Sequence, residues 1–434
     1  MANVRLVIFM VLAVAVSFIV PGLSFSIVMT AFFFYLVSKY SYAKDRRYIL
    51  ALLGAALLLR LLVFIVLQYI CFSKESLDIF GDAEDNIIQG FYLGDYFKGA
   101  QDLSQSISGL RYNTHGMSFF NGIFFFLFGE DFIALKYLNI LFASVSGWLV
   151  YDLCGRIYSR KAGRIAATIF LFWPTFLIWS VTDLKESHLI ISLLAAFYLV
   201  NLSLNEMRTR KRILLNILGA LLLLYAVLLK LKLLLPVAAL LVVSSLIFYI
   251  LRNRGTRVAV RFFLASSLAG LLVYMRYKQF ILQTIKDMYG TLVNINVGFM
   301  NSGGWNYNVI GEKGQDYFTL PFFLKYMVGA WFHFMTEPLP WHLYSMGIFA
   351  VFIVMPLWYL LLFSSAIGII KIRRAGKIAF FFPMLVFTVV YTTIVGMAVA
   401  NIGTAARFRD VVMPFVVILA ACGMTDPSRE DAGR

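Results

Sequence analysis

Long apolar stretches separated by short basic loops are the feature that most constrains this chain. Runs such as Ile49–Phe72, Leu233–Leu251 and Ile378–Ala398 can cross the roughly 30 Å hydrocarbon layer of a bilayer. Only 14% of the 434 residues are charged, whereas a soluble domain carries about 25%. Backbone in lipid must satisfy its own hydrogen bonds, and these runs lack the alternation of barrel strands. They are therefore predicted to be helices.

The net charge of +16 is concentrated in loops, which argues against a nucleic-acid-binding protein. Evenly spaced basic clusters between apolar runs mark the cytoplasmic side of a membrane protein. Five short loops each hold four Lys or Arg: Lys39–Arg47, Arg156–Arg164, Arg208–Arg212, Arg252–Arg261 and Lys371–Lys377.

Placing these loops on one side of the membrane fixes the expected helix count. If every apolar run crossed, Arg156–Arg164 and Lys371–Lys377 would fall on the wrong side. Both conflicts vanish if 115–129 and 321–335 do not span. We therefore expect an all-α bundle of about twelve spanning helices plus two re-entrant or in-plane helices. The expected runs are 5–20, 23–38, 49–72, 115–129, 131–153, 165–181, 187–204, 213–229, 233–251, 262–275, 321–335, 345–370, 378–398 and 410–423.

The same pattern predicts one transmembrane domain over 1–425 and a short cytoplasmic tail at 426–434. The three cysteines lie in or beside apolar runs, where they act as small hydrophobes. The four histidines show no metal-ligand spacing, so we expect neither a metal nor a cofactor.

The first predicted outside loop, 73–113, is acidic, with seven Asp or Glu against three Lys or Arg. Its dense part runs from Asp78 through Asp82 and Glu84 to Asp85. One interpretation is a solvated surface loop. However, apolar residues interrupt the cluster and indicate that part of it packs. Acidic groups at a membrane edge would suit a general base.

A second outside turn follows Trp173-Pro174 and contains Asp183, Lys185, Glu186 and His188. Ionisable residues at membrane depth are costly and are candidates for function. The alternative is a self-paired charge cluster that caps a helical hairpin.

A third outside turn carries Arg407 and Arg409 and departs from the positive-inside trend. Arginine suits bidentate phosphate binding, although a helix-end arginine also snorkels toward headgroups. Residues at i and i+2 do not share a face of a regular helix, so we expect an irregular turn if both bind one phosphate.

Together these features resemble the GT-C superfamily of membrane glycosyltransferases, especially its protein-mannosyltransferase-like and aminoarabinose-transferase-like branch. The similarity covers the acidic first loop, the Trp-Pro helix followed by Asp-Leu-Lys-Glu-Ser, and the Gly-Thr-x-x-Arg-x-Arg turn with a later Pro. It is best over 75–205 and 400–423. Two positions depart from the family pattern: Asn86 stands where a Tyr is frequent, and Thr114-His115-Gly116 stands where a Pro-Pro pair is frequent.

The resemblance implies transfer of a sugar from a polyprenyl-phosphate-linked donor to an acceptor glycan, lipid or protein. Asp82 would be the catalytic base, with Glu84 and Asp85 as catalytic neighbours. The predicted substrate-binding residues are Lys185, Glu186, His115, Arg407 and Arg409. The expected location is the inner (plasma) membrane, among membrane lipids, with a periplasmic or extracellular site and no nucleic-acid partner.

Three other functions remain open. A polysaccharide polymerase or ligase would also use polyprenyl-linked glycans. A transporter of lipid-linked sugars would place charges at mid-membrane on broken helices, often in repeated halves, but the chain shows no internal repeat. The last alternative is a structural scaffold, against which the costly outside charges count.

The charge pattern makes a topological prediction. Cysteines introduced singly into Lys39–Arg47 and Lys371–Lys377 should react with a membrane-impermeant thiol reagent only after the membrane is opened. Cysteines within 73–113 or 276–320 should react in intact cells. Labelling of Lys371–Lys377 from outside would contradict the view that 321–335 does not span.

Overall fold

The computed structural model describes residues 21–71, 77–99, 115–206, 208–230, 319–342 and 346–426, together with parts of 275–298. Within these residues every element is helical and no strand is formed. The predicted all-α class is therefore confirmed for the described part of the chain. The runs expected at 5–20 and 233–251, and most of 262–275, lie outside it.

The described helices are labelled in chain order. In the first half they are α1 (Pro21–Tyr40), α2 (Arg46–Ile65), α3 (Gly81–Phe97), α4 (His115–Phe128), α5 (Phe132–Ile157), α6 (Arg160–Leu171), α7 (Pro174–Trp179), α8 (Glu186–Asn205) and α9 (Thr209–Leu229). In the second half they are α10 (Leu320–Thr336), α11 (Met346–Arg374), α12 (Ile378–Ala398) and α13 (Ile402–Met424). A π-helical turn, Val66–Cys71, extends α2, and a 3-10 turn, Pro340–His342, follows α10.

Six helices among the described residues are long and apolar enough to cross a bilayer, so the chain has the features of a membrane protein. Their candidate spans are Arg46–Ile70, Phe132–Ile157, Glu186–Ser203, Thr209–Leu229, Ile348–Arg374 and Phe380–Ala398. The total of about twelve stays a prediction.

The described residues form two compact units, one built from α1 to α9 and the other from α10 to α13. In the first unit α5 is buried along most of its length. Helix α1 runs parallel to α5, because Ser26 Oγ lies 3.3 Å from Ala134 O and Trp148 Nε1 donates to Ser41 Oγ at 3.2 Å.

Helices α8 and α9 continue this bundle. Helix α8 runs parallel to α5, since His188 packs on Phe142 and, further along both helices, Tyr198 donates to Asp152 at 2.8 Å. Helix α9 turns back along α8, where Tyr225 OH lies 2.7 Å from His188 Nδ1. The C-terminal end of α9 therefore lies at the same end of the unit as the start of α8.

Two predicted cytoplasmic loops meet at one end of the first unit, here called the basic end. Asp45, in the Lys39–Arg47 loop, is buried and forms an ion pair with Arg164, in the Arg156–Arg164 loop. Tyr151 also donates to Asp45 at 2.7 Å. Burial would raise the pKa of Asp45, but the bonds from Arg164 and Tyr151 outweigh it and lower that pKa. The two loops thus share one end, as the charge pattern predicts.

Helices α3 and α4 pack side by side in a parallel pair. Ser118 Oγ, near the start of α4, donates to Gln89, in the middle of α3, at 2.9 Å, and beyond the ends of both helices Lys98 lies 3.8 Å from Glu130. The acidic loop expected at 73–113 therefore contains a helix, which confirms that part of it packs.

Helix α4 begins and ends at the end of the unit opposite the basic loops. A Cβ on Gly116 would lie 2.5 Å from Leu228 O, near the C-terminus of α9. At the other end of α4, Phe128 stacks on Phe25, near the start of α1, with ring centroids 4.5 Å apart. Helix α4 therefore does not run from one end of the unit to the other.

The single spanning helix expected at 165–181 is wrong. This stretch forms α6, of 12 residues, and α7, of 6 residues. Trp173 between them has an extended backbone, and Pro174 begins α7, consistent with the preference of proline for the first helical position. The residue before a proline is disfavoured in helical conformation, which explains the break.

The broken segment still follows α2 from one end of the unit to the other. Tyr48 lies 2.7 Å from Thr168 near the basic end, and Arg60 Nε donates to Ser180 Oγ at 3.0 Å near the opposite end. The turn after α7 therefore lies at the same end as the C-terminus of α2.

In the second unit α11 and α13 run parallel and very close together. Ser365 Oγ donates to Val416 O at 2.9 Å, and further along Lys371 Nζ donates to Thr425 O at 3.1 Å. The approach depends on small residues, because a Cβ on Gly423 would collide with the backbone carbonyl of Ser364.

Helix α10 covers only about half the length of α11. Near its start Tyr326 donates to Met397 O, close to the C-terminus of α12. At its end Tyr359, in the middle of α11, donates to Thr336 O at 2.6 Å. The helix therefore stops well short of the Lys371–Lys377 loop.

The close approach of α11 and α13 gives a stability prediction. Gly423→Ala should destabilise the protein by about 1–3 kcal/mol, because the methyl group must displace a backbone carbonyl. The melting temperature of purified protein in detergent measures this. Gly54→Ala in α2 is the matched control, since a Cβ there would meet nothing within 4 Å, and it should be neutral or stabilising. Equal melting temperatures for the two variants would contradict the packing.

Candidate functional site

Two segments that the sequence marks separately meet at the end of the first unit opposite the basic loops. Asp78 begins the dense acidic stretch, and Asp183 lies in the turn after the Trp-Pro helix. Asp78 Oδ2 accepts a hydrogen bond from the backbone N–H of Asp183 at 3.0 Å. Both side chains are buried, so this contact is shielded from solvent and from salt.

Lys136 supplies the positive charge at this junction. Its side chain is 1% exposed, and its Nζ lies 3.2 Å from Asp78 Oδ2. The same amine donates to Gln68 Oε1 at 2.7 Å and to Leu77 O at 2.5 Å. A buried ammonium group is tolerated when it is paired and hydrogen-bonded in this way. Lys136 thus ties α5 to α2 and to the acidic segment.

Three asparagine side chains surround Asp183. Asn121 Nδ2 donates to Asp183 Oδ2 at 2.5 Å, and Asn139 Nδ2 donates to Oδ1 at 3.2 Å. Asn86 Nδ2 donates to the backbone carbonyl of Asp183 at 3.2 Å. We call Asp78, Asn86, Asn121, Lys136, Asn139 and Asp183 the Asp183 cluster.

The cluster contains two buried carboxyl groups and one buried amine. Lys136 is paired with Asp78, so Asp183 relies on neutral amide donors. Burial, reinforced by the Asp78 carboxylate, raises the pKa of Asp183 well above its usual range, although the amide bonds and Lys136 act in the opposite direction. Asp183 therefore takes up a proton at a higher pH than an ordinary aspartate does.

The predicted catalytic residues lie on the first turns of α3, immediately after this junction. Asp82 is exposed, while Glu84 and Asp85 are half-buried. Glu84 accepts a hydrogen bond from Leu77 N at 3.2 Å. Acidic groups are favoured at a helix N-terminus by the helix dipole. Asp82 is thus presented to solvent from a segment that Asp78 anchors.

The other predicted residues of the first unit lie near the cluster in sequence. Lys185 is half-buried, and Glu186, the first residue of α8, is buried, as is His188. The turn is therefore not a solvated cap. His115 is the first residue of α4.

Arg407 and Arg409 belong to the second unit and lie on α13 itself. The helix begins at Ile402, with Asn401 as its N-cap accepting from Thr404 N at 3.1 Å. The irregular turn expected around these arginines is therefore wrong. On this regular helix the two side chains point to different faces.

The two arginines accordingly have different surroundings. Arg409 is 4% exposed, lies over the ring of Trp358 and has its Nη1 3.3 Å from Met355 Sδ. Arg407 is half-buried, with its guanidinium over the ring of Phe408. Of the two, Arg407 is the more accessible to a ligand.

Sequence reasoning assigns no role to two buried cations that the structure reveals. Lys136 lies in the apolar run 131–153, and Arg60 lies in the run Ile49–Phe72, which hydropathy alone marks as apolar. A lone charge within a run of transmembrane length is the signal that could have identified both. Asn121 is a weaker case, because it is a polar but uncharged residue within the apolar run 115–129.

Comparisons with known proteins leave the family open. No model of a known protein family matches the chain, and no curated protein matches it. Within the described residues, no group of three or more His, Cys, Asp or Glu side chains is arranged to hold a metal ion.

The raised pKa of Asp183 gives a pH prediction. A group whose pKa is higher in the folded state stabilises fully below its unfolded pKa of about 3.9 and loses that contribution as pH rises through its folded pKa. Asp183→Asn resembles the protonated acid at every pH. The melting temperature of the wild type, relative to Asp183→Asn, should therefore fall as pH rises from about 4.

Asp95→Asn is the control for this measurement, because Asp95 is a partly exposed carboxylate on α3 that pairs with Lys98 at 3.3 Å. Its melting temperature should follow the wild type across the pH range within a degree or so, as expected for a surface pair. Parallel pH profiles for the wild type and Asp183→Asn would contradict a protonated Asp183.

Proposed function

We propose that the chain is an integral membrane glycosyltransferase. It would move a sugar from a polyprenyl-phosphate-linked donor to an acceptor glycan, lipid or protein on the outer face of the membrane. The observation that carries the proposal is the Asp183 cluster, which unites the acidic segment with the Trp-Pro turn. These are two of the three features on which the GT-C resemblance rests.

The topology supports an outer-face site. In the first unit the cluster lies opposite the Lys39–Arg47 and Arg156–Arg164 loops, which the positive-inside trend assigns to the cytoplasm. Helix α4 begins and ends at the cluster end, and α10 covers half of α11. Both observations suit helices that do not span the membrane. The two helices correspond to 115–129 and 321–335, the runs that the charge pattern requires not to span.

The chemistry of the transfer requires a base and a positive partner for the leaving group. Asp82 is proposed as the base that takes the proton of the acceptor hydroxyl. It is exposed, whereas Asp78 is already paired with Lys136. Arg407 in the second unit and Lys185 in the first are the two candidates proposed for binding the lipid phosphate.

A second candidate is a transporter of lipid-linked sugars, favoured by Arg60. This residue is fully buried within a candidate span, and its described partners, Ser180 Oγ, Ala56 O and the Phe176 ring, are all neutral. Charges inside spans and broken helices are features of transporters. A transfer assay separates the two candidates, because a transporter forms no new glycosidic bond.

Replacement of the base tests the enzyme proposal. Asp82→Asn is nearly isosteric and should lower sugar transfer by about 100-fold or more, because a general base contributes about 10²–10⁴ to the rate. Its melting temperature should not change, since Asp82 is exposed. The assay follows labelled sugar from a panel of polyprenyl-phosphate donors in membranes that contain the protein.

Asp95→Asn serves as the matched control on the same helix and should retain full transfer. Asp78→Asn should lose activity together with stability, because it leaves Lys136 buried without its charged partner. Full activity in Asp82→Asn with a stable, inactive Asp85→Asn would assign the base to Asp85. Full activity in all three acidic variants would contradict the proposal.

A further inference from the structure

The basic end of the first unit gathers a third basic loop besides the two already placed there. Tyr198, in the second half of α8, is hydrogen-bonded to Asp152, in the last third of α5. Arg156, in the last turn of α5, has its guanidinium 5.8 Å from the centre of the Tyr198 ring. Because the two helices run parallel, α8 ends at the basic end, and the Arg208–Arg212 loop that follows α8 lies there too.

Positive charge at this end exceeds negative charge. The three loops together hold twelve Lys or Arg. Each of the three carboxylates beside them is paired with one cation of the same loops: Asp45 with Arg164, Asp152 with Arg156 and Glu206 with Lys211. The nearby acidic groups of the chain are therefore already engaged, and they leave most of the positive charge without a counter-charge.

The cations outside these pairs are mostly exposed. Seven of them are exposed and have no carboxylate partner among the described residues: Lys39, Lys44, Arg46, Arg47, Lys161, Arg208 and Arg210. An exposed cation costs little in water, so exposure alone assigns no role. Their depth is more informative, because Arg46 begins the candidate span Arg46–Ile70 and Arg210 lies in the first turn of the candidate span Thr209–Leu229.

Tyrosine rings lie beneath cations at the same end. The Arg160 guanidinium lies 5.4 Å from the centre of the Tyr42 ring, and the Arg164 guanidinium lies 5.4 Å from that of Tyr48. Tyrosine is enriched where a membrane protein crosses the headgroup layer. Together with the cations in the terminal turns of the candidate spans, these rings indicate that the positive surface lies at the depth of lipid headgroups.

Helix stability does not account for the cations. Helices α2, α6 and α9 all begin at the basic end, and none has an acidic residue in its first turn. The partial positive charge at the start of a helix disfavours a cation there. Arg46, Lys161 and Arg210 nevertheless occupy these first turns. Anions supplied from outside the chain would relieve this repulsion.

We propose that the basic end binds the headgroups of anionic phospholipids in the leaflet that it faces. The inference goes beyond the proposed function, and it would hold equally for a transporter. Clusters of roughly four to eight Lys or Arg next to a membrane span are attracted to anionic lipids. Lipid is favoured over an acidic protein because the lipids around the spans already surround cations at headgroup depth.

The thermal stability of the full chain in detergent micelles tests the proposal. The micelles contain either phosphatidylglycerol, which is anionic, or phosphatidylcholine with the same acyl chains, which has no net charge. A ligand that binds only the folded state raises the melting temperature, so the wild type should melt about 3 °C or more higher with phosphatidylglycerol. In 1 M salt, where the screening length is about 3 Å, this gain should shrink by half or more. A gain that salt leaves unchanged would overturn the proposal.

A triple variant with one substitution in each loop locates the effect. Arg47→Gln, Lys161→Gln and Arg210→Gln remove exposed cations, and each loop retains three others to direct insertion. With phosphatidylcholine the variant should melt as the wild type does, whereas its gain with phosphatidylglycerol should fall by half or more. The charge-preserving variant Arg47→Lys, Lys161→Arg, Arg210→Lys should keep the gain. Full gain in the neutralised variant would overturn the proposal.

The matched control removes the same amount of charge elsewhere. Lys98, Arg276 and Lys286 lie in the segments predicted to be outside, 73–113 and 276–320. Lys98→Gln, Arg276→Gln and Lys286→Gln together should leave the gain with phosphatidylglycerol as it is in the wild type. An equal loss in this control would assign the gain to net charge and overturn the role of the basic end.

Two soluble anions distinguish the other occupants. Poly-glutamate stands for an acidic protein, and glycerol phosphate stands for the free headgroup. Neither should reproduce the gain at the concentration used for phosphatidylglycerol, because only the lipid is held at headgroup depth beside the cations. A gain with poly-glutamate and none with phosphatidylglycerol would overturn the lipid assignment in favour of an acidic protein. An equal gain with glycerol phosphate would overturn it in favour of a free phosphate compound.

Discussion

The end of the first unit that carries the candidate site depends on one buried amine. Lys136 neutralises Asp78, and Asp78 in turn accepts the N–H of Asp183. Removing one partner of a buried ion pair costs about 3–5 kcal/mol, because the other charge stays in a medium that cannot solvate it. The three segments that meet here are therefore held in one arrangement, and Asp78 lies just before the first turn of α3, which carries Asp82. An anchored segment of this kind suits the general base proposed above, because a reacting group must be held in its productive geometry.

The cost of burying a charged group explains why the cluster contains three asparagines and only one lysine. A second buried lysine would pair Asp183 but would add its own cost of desolvation. Three asparagines instead provide hydrogen bonds without charge, and a protonated Asp183 needs no counter-ion. The same reasoning explains why Asn86 fits at a position where the resembled family frequently has tyrosine. Its amide donates to the backbone carbonyl of Asp183.

Hydropathy predicts the described helices well because it is a local property, but it cannot predict which polar side chains meet. The partners in the cluster are separated by 58 or 47 residues along the chain, from Asp78 to Lys136 and from Lys136 to Asp183, so no short pattern connects them. The break at Trp173-Pro174 is visible in the sequence, yet an average over a window conceals a single proline. The helical start of α13 is hard to predict for a related reason, since Gly403 permits an irregular backbone as readily as a helix.

Each unit is anchored by a buried carboxylate whose partners lie within the same unit. In the first unit Asp78 pairs with Lys136. In the second unit Glu337, the C-cap of α10, is fully buried and is hydrogen-bonded to His333, His342 and the backbone N–H of Leu339. A buried charge is tolerated only where such partners satisfy it. Each carboxylate therefore fixes the segments that supply its partners, and apolar packing alone would not specify their arrangement so narrowly.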